Sequence, residues 1–418
     1  MSPSDPVPDS LLRHRPFMLY WNARVFAAIA FQMVGVAVGW QMYALTGSAF
    51  DLGLVGLAQF LPATVLIMIA GQLADRYDRR RILQLCQGVE GLAAAALALG
   101  SYNGWIGKEY ILAAVFFLGA GRAFEATTMQ TVLPAVVPSS LFPRAVAASS
   151  SAQQAATIGG PAIGGFLYLI SPSLVYAICF ALFIAAALQL AFVKMSHTTS
   201  GGRPPLTMEV FFAGVSFIRR NPIVLGVISL DLFAVLLGGA TALLPIFAKD
   251  VFDVGPWGLG LLRASPALGA LFIMVALARW TFTRNVGKIE FVAVGLFGVA
   301  TIVFGLSTSF LLSMAALAIM GASDAVSVVI RQTLVQLETP DEMRGRVSAV
   351  NALFVTMSNQ LGDFRAGVAA HLIGAIPAVL VGGIGTLVVV ACGIKLFPRL
   401  YAVEGFQMAK RTPTPAGG

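Results

Sequence analysis

The chain has 418 residues, of which 58% are hydrophobic and only 11% charged, and its mean hydropathy is +0.84. Soluble globular chains carry about a quarter charged residues, so this composition excludes a water-exposed domain and makes lipid the solvent for most of the chain. The net charge of +8 does not point to nucleic acid, because the cations gather in alternate loops instead of forming one basic tract.

In chain order, Met1 to Arg15 is polar and Pro-rich and lacks the short apolar core and small-residue cleavage site of a signal peptide, so the first helix is expected to be retained. Gly/Pro punctuation and the cationic loops predict helices over 17–46, 51–73, 80–101, 109–136, 145–169, 173–195, 222–248, 257–280, 287–306, 309–336, 345–369 and 374–397. Several approach the roughly 20 apolar residues that cross a bilayer core of about 30 Å. The expected fold is an all-α polytopic membrane protein with about 12 transmembrane helices in two pseudo-symmetric six-helix bundles around a central cavity. Its parts would be a tail over 1–16, a bundle over 17–195, a linker over 196–221, a second bundle over 222–397 and a tail over 398–418. Arg76, Arg79, Arg80, Arg81, Arg144, Lys194, Arg219, Arg220, Arg344 and Arg346 fall in one set of loops, and the opposite set is nearly free of cations. The positive-inside rule then puts both termini in the cytoplasm. Met208 to Phe217, followed by Arg219 and Arg220, suits a short helix lying on the membrane surface.

The halves repeat at an offset of about 200 residues, the parallel type of internal repeat found in transporters. Gly119-Ala120-Gly121-Arg122 aligns with Gly321-Ala322-Ser323-Asp324, Gln130-Thr131 with Gln332-Thr333, Pro138 with Pro340 and Arg144 with Arg346. Asn22 and Gln32 match Asn221 and Asp231 at a similar offset.

Intramembrane charge marks candidate sites, because an ionisable group near the bilayer centre costs at least about 2.5 kcal/mol and turns to a cavity or a partner. Arg122 and Glu125, three apart in the fourth predicted span, share a helix face and can pair. Asp231 and Asp324 lie deep in the seventh and tenth spans, and repeat symmetry sets Arg122 opposite Asp324. Glu125, Asp231 and Asp324 are the proton-coupling candidates, with Arg122 acting on them by charge proximity; the alternative is a set of structural ion pairs. Arg263 and Asp363, near the outer ends of their spans, are candidates for an outer gate or an ion pair. Gln32, Gln59, Asn351 and Asn359 are cavity candidates, as are Gln41 and Tyr43, although helix-to-helix hydrogen bonding would also account for them.

Between the second and third spans runs Gly71-Gln72-Leu73-Ala74-Asp75-Arg76-Tyr77-Asp78-Arg79-Arg80-Arg81-Ile82-Leu83. It resembles the signature G-x-L-a-D-r-x-G-r-r-x-x-l of the major facilitator superfamily, departing at Asp78, where glycine is usual. That resemblance implies a conformational latch at Gly71, Asp75, Arg76, Arg79 and Arg80, with Asp75 favouring the N-terminus of a neighbouring helix. The arginines would otherwise serve only to set topology. Gly160-Pro161-Ala162-Ile163-Gly164-Gly165 is similar to the GPxxGG core of the superfamily's antiporter motif. Close helix packing would also select these residues.

Leu230 to Phe233, Leu243 to Ala248 and Pro340 to Val347 are similar to the bacterial subgroup that includes enterobactin exporters. The resemblance implies a secondary transporter of the bacterial inner membrane, multi-pass and monomeric, exporting a siderophore or amphipathic drug-like molecule by proton exchange. A proton symporter importing a nutrient or iron chelate, or a lysolipid flippase, would use the same fold. No enzyme activity, cofactor or metal is expected: there is no GxxxxGK[ST] loop, His14, His197 and His371 are scattered, and Cys86, Cys179 and Cys392 lie in or beside apolar runs as expected buried thiols.

Overall fold

Helix punctuation in the sequence sets most of the element boundaries in the computed structural model, which describes residues 11, 14–138, 140–193, 208–279 and 284–406, with backbone alone at 67–76, 126–127, 130–131 and 208–211. Helix α1 (Arg15–Thr46) carries Pro16 in its first turn, where the missing N–H costs no helical bond. It ends at Gly47, whose φ of 60° is left-handed and whose N–H returns to the Tyr43 carbonyl. Then come α2 (Ala49–Arg76), α3 (Arg79–Tyr102), α4 (Lys108–Val136), α5 (Phe142–Tyr168) and α6 (Pro172–Ala191). The amphipathic α7 (Met208–Arg220) is followed by α8 (Pro222–Gly238), where Asn221 caps the first turn by accepting the Ile223 and Val224 N–H groups at 3.1 and 3.2 Å.

The sequence predicts one helix over 222–248, but α8 stops at Gly238 and the chain continues as a 3-10 turn (Thr241–Leu243), the short α9 (Leu244–Ile246) and a π-helical turn (Phe247–Val251). Gly238-Gly239 weakens the helix, and Pro245 has no N–H to offer the carbonyl four residues back. The break is stitched from outside: Arg365 donates to the Leu237 carbonyl, and Thr241 Oγ1 donates to Asp363 at 2.9 Å. Beyond it lie α10 (Gly255–Arg279), α11 (Val286–Leu306), α12 (Phe310–Glu338), α13 (Asp341–Ile373), α14 (Ala375–Leu396) and α15 (Pro398–Tyr401). No strand occurs among the described residues.

Among the described residues, nine segments are long and apolar enough to cross a membrane, including 222–251 as a whole. Helices α4, α5 and α13 have 29, 27 and 33 residues, also enough to span, but they carry much of the chain's intramembrane polarity. Together these make twelve spanning segments among the described residues, the number expected from the sequence, with the seventh broken after Gly238.

The chain forms two compact units, unit 1 from 1–205 with 248–264 and unit 2 from 206–247 with 265–418. In unit 1, α1 packs on α5 and α6, α2 on α4, and α3 on α4 and α6. Small residues let backbones touch, since in lipid it is close packing that holds helices together. A Cβ at Gly119 would stand 2.5 Å from the Gln59 carbonyl oxygen. Buried polar bonds tie the same helices: the Tyr176 hydroxyl donates to Gln41 at 2.7 Å, Gln41 donates to Ser101 at 2.9 Å, and Trp21 donates to the Ala148 carbonyl at 3.1 Å.

In unit 2, α11 packs on α12 and α14, and α8 on α13 and α14. Gly321, the repeat equivalent of Gly119, abuts the Pro266 carbonyl, so the repeat extends from sequence to packing. Helix α7 lies against α13, where Gly214 meets the Arg346 carbonyl. In both units, large apolar side chains such as Phe116, Phe117, Phe272 and Leu311 are exposed, as lipid-facing residues are.

Candidate functional site

Each unit holds a polar cluster within its helix packing. In unit 1 the expected pair forms: Arg122 Nη1 donates to Glu125 Oε2 at 2.7 Å across one turn of α4. The carboxylate is almost sealed while the arginine side chain is 34% exposed, and its guanidinium lies 4.7 Å over the ring of Phe31. A third charged residue, missed from the sequence, completes the group. Glu90 of α3 is fully buried, lies within electrostatic reach of both Arg122 and Glu125, and is pressed against Gly121. A Cβ at Gly121 would stand 2.8 Å from Glu90 Cγ, which explains why glycine precedes Arg122. Neither carboxylate oxygen of Glu90 has a hydrogen-bond partner among the described residues.

The unit 2 cluster is richer in acids. Arg331 Nη1 lies 3.4 Å from Asp231 Oδ2 and donates to Asn351 Oδ1 at 3.1 Å, so Asn351, a cavity candidate, belongs to this ion-pair network. Glu290 of α11 is fully buried and takes the Ser327 hydroxyl on one oxygen at 2.7 Å. Asp324 is within electrostatic reach of Asp231, Glu290 and Arg331. Asp231 and Asp324, predicted separately, are thus brought together. Glu290 and Arg331 were missed from the sequence; Glu290 lies 200 residues after Glu90, close to the repeat offset.

The GPxxGG residues all stand at close helix contacts. A Cβ at Gly160 would be 2.6 Å from Gln32 Cβ, and one at Gly164 would be 2.9 Å from Met33 Cα, so this face of α5 is set by α1. Gly165 abuts the Pro256 carbonyl and Gly260, and Gly260 in turn abuts the Pro161 carbonyl. Pro161 sits inside an unbroken α5.

Gly71, Asp75 and Arg76, expected in a loop between spans, belong to the last turns of α2, and their side chains lie outside the described residues. Arg79 is partly buried, and Arg80 reaches the Val193 carbonyl just past α6 at 3.5 Å. Asp78, which replaces the signature glycine, has an ordinary φ of −60° and accepts the Arg80 N–H at 2.9 Å, so it caps α3 where a glycine could only turn the chain.

The remaining candidates serve mainly as ties. Gln41 bridges α6 and α3, and Tyr43 donates to Asp250 with Lys249 5.3 Å from its ring. Gln59 is half-buried, with its carbonyl against Gly119. Asn359 is exposed and donates to the Val355 carbonyl of its own helix at 2.8 Å. Arg263 stands against Gly35, and Asp363 holds Thr241. Cys86 and Cys179 are buried as expected, but Cys392, also expected to be buried, is exposed on α14, where an apolar run faces outward as a lipid-facing surface does. His14 is buried, bonding the Val136 carbonyl at 2.8 Å; His197 lies outside the described residues.

A family model described as transmembrane secretion effector matches residues 8–416. The enterobactin exporter EntS of Shigella dysenteriae serotype 1 is 28% identical over 396 residues, covering 90% of this chain and 87% of that protein. EntS of Escherichia coli O139:H28 gives the same identity over 398 residues, with the same coverage of both chains. Among solved structures, an inward-facing bacterial homologue of the iron transporter ferroportin has a TM-score of 0.71 at 16% identity, covering 94% of this chain and all of that one. An inward-facing, unoccupied bacterial homologue of the human lysosomal transporter Spinster has a TM-score of 0.70 at 15% identity, covering 97% of this chain and all of that one. The chain belongs to the transmembrane secretion effector family and is a secondary transporter of the major facilitator superfamily.

Proposed function

We propose that this transporter exports a siderophore or similar amphipathic small molecule across the bacterial inner membrane in exchange for protons, working by alternating access as a monomer with both termini in the cytoplasm. The observation that carries the proposal is the unit 2 cluster, where three acids, Asp231, Glu290 and Asp324, share one cation among the described residues, Arg331. Burying uncompensated negative charge is costly, so such a cluster binds protons to stay neutral. Glu125, Asp231 and Asp324, with Arg122 beside the first, remain the coupling candidates, and Glu90 and Glu290 join them. Export as the direction rests on the secretion family and on relatives named as enterobactin exporters. In this reading Gly71, Asp75, Arg76, Arg79 and Arg80 form the latch, Arg263 and Asp363 each serve a structural ion pair or tie within their own unit, and Gln32 and Gln59 face the substrate.

The test is substrate-driven proton movement in proteoliposomes carrying an internal pH dye, with a catecholate siderophore and amphipathic cations as substrates. Opposite movement of substrate and protons supports the proposal. Movement in the same direction would replace it with import, and lipid-dependent transport indifferent to pH would replace it with lysolipid flipping.

A further inference from the structure

Comparing the two clusters isolates one residue. Glu90 on α3 and Glu290 on α11 lie 200 residues apart, close to the repeat offset, and both are fully buried. In unit 2 the residue facing the acid from the tenth span is Ser327, whose hydroxyl supplies a hydrogen bond at 2.7 Å. The repeat position of Ser327 is Glu125 in unit 1, so Glu90 meets a second acid where its counterpart meets a donor. That second acid already holds Arg122 at 2.7 Å, and Glu90 is left with two sealed oxygens and no donor among the described residues. The charged and titratable groups around Glu90 are Arg122 and Glu125 of α4 and Cys86 one turn earlier on α3. From α6 come Phe183 and Ile184, which pack on Gly91. On α1, Tyr20 reaches Glu125 electrostatically and takes a hydrogen bond from Arg24 at 3.2 Å.

We propose that Glu90 is the proton-carrying carboxylate of unit 1, exchanging with Glu125 for the Arg122 guanidinium. One arginine can hold only one of the two acids ionised, and here it holds Glu125. When Arg122 turns to Glu90, the Glu90 proton passes to Glu125, so proton and guanidinium trade places and the charge of the cluster is unchanged. The partly exposed Arg122 side chain gives the exchange an opening that Glu90 lacks. Gly121 belongs to the device, because any side chain there would strike Glu90.

This inference rests on the proton-exchange reading above, and two measurements separate its failure from the failure of that reading. The first is the infrared carboxylic-acid C=O band of the full-length protein in lipid at neutral pH, which needs no substrate. The expected result is loss of one band component in Glu90→Gln and, because Arg122 is then free to ionise Glu90, also in Glu125→Gln. An unchanged band in Glu90→Gln would overturn the assignment, as would a component that persists in Glu125→Gln. The second is flux in proteoliposomes, where Glu90→Gln is expected to keep substrate exchange at equal concentrations but lose gradient-driven transport. Full gradient-driven transport by Glu90→Gln would overturn the role of Glu90 alone, whereas wild-type transport without proton movement would overturn the exchange reading while leaving the infrared result standing.

Discussion

Arg331 and Asp231 join α12 to α8 through an ion pair of 3.4 Å, with only 4% and 6% of their side chains exposed. Removing one partner strands the other charge inside unit 2, which in buried pairs costs about 3–5 kcal/mol. Arg331→Met is therefore expected to lower thermal stability in detergent sharply. The double variant Arg331→Met with Asp231→Asn should recover most of the loss, and a double variant no more stable than the single one would show that the pair does not act as a unit.

Gly164 faces the backbone of α1, which cannot yield as a flexible side-chain tip would. Gly164→Val should separate α1 from α5 and cost about 1–3 kcal/mol, the range for overpacking. Gly159, whose Cβ position is open, is the control: Gly159→Ala should leave the unfolding temperature unchanged or slightly raised.

Asp78 substitutes capping for a glycine turn. Asp78→Ala is expected to destabilise the start of α3 by about 0.5–2 kcal/mol, while Asp78→Ser or Asp78→Asn should cost little. Hydrogen exchange at the Arg80 amide reads this directly, and faster exchange in Asp78→Ala alone is the expected pattern.

The Tyr176 hydroxyl bonds Gln41 in a sealed position. Tyr176→Phe should cost about 0.5–2 kcal/mol, since interhelical hydrogen bonds in membranes are individually modest, and leave the KM for substrate unchanged. A large KM shift with intact stability would return Gln41 to the substrate cavity.

The parts of the site that could be read from sequence were those governed by local geometry. Arg122 and Glu125 had to pair because three residues on a helix bring side chains together, and Gly119 with Gly321 announced the repeat because small residues recur where backbones touch. Glu90, Glu290 and Arg331 were missed because each lies within about ten residues of a cationic loop, where a charge reads as interfacial. What buries them is packing: α4 presses on Glu90 through Gly121, and Ser327 of α12 closes over Glu290. Sequence distance from a loop measures depth along a helix and says nothing of which neighbour covers that depth. The break after Gly238 was hidden for a related reason, since its apolar residues continue past the end of the helix.

The three thiols offer a chemical consequence of the way unit 1 is closed. Cys86 precedes Glu90 by one turn and is sealed with it, whereas Cys392 is exposed on α14. A membrane-permeant alkylating reagent should modify Cys392 at a steady rate, while modification of Cys86 should wait for the helices around Glu90 to part. The ratio of the two labels would then report how often that interior opens, with no residue introduced for the purpose.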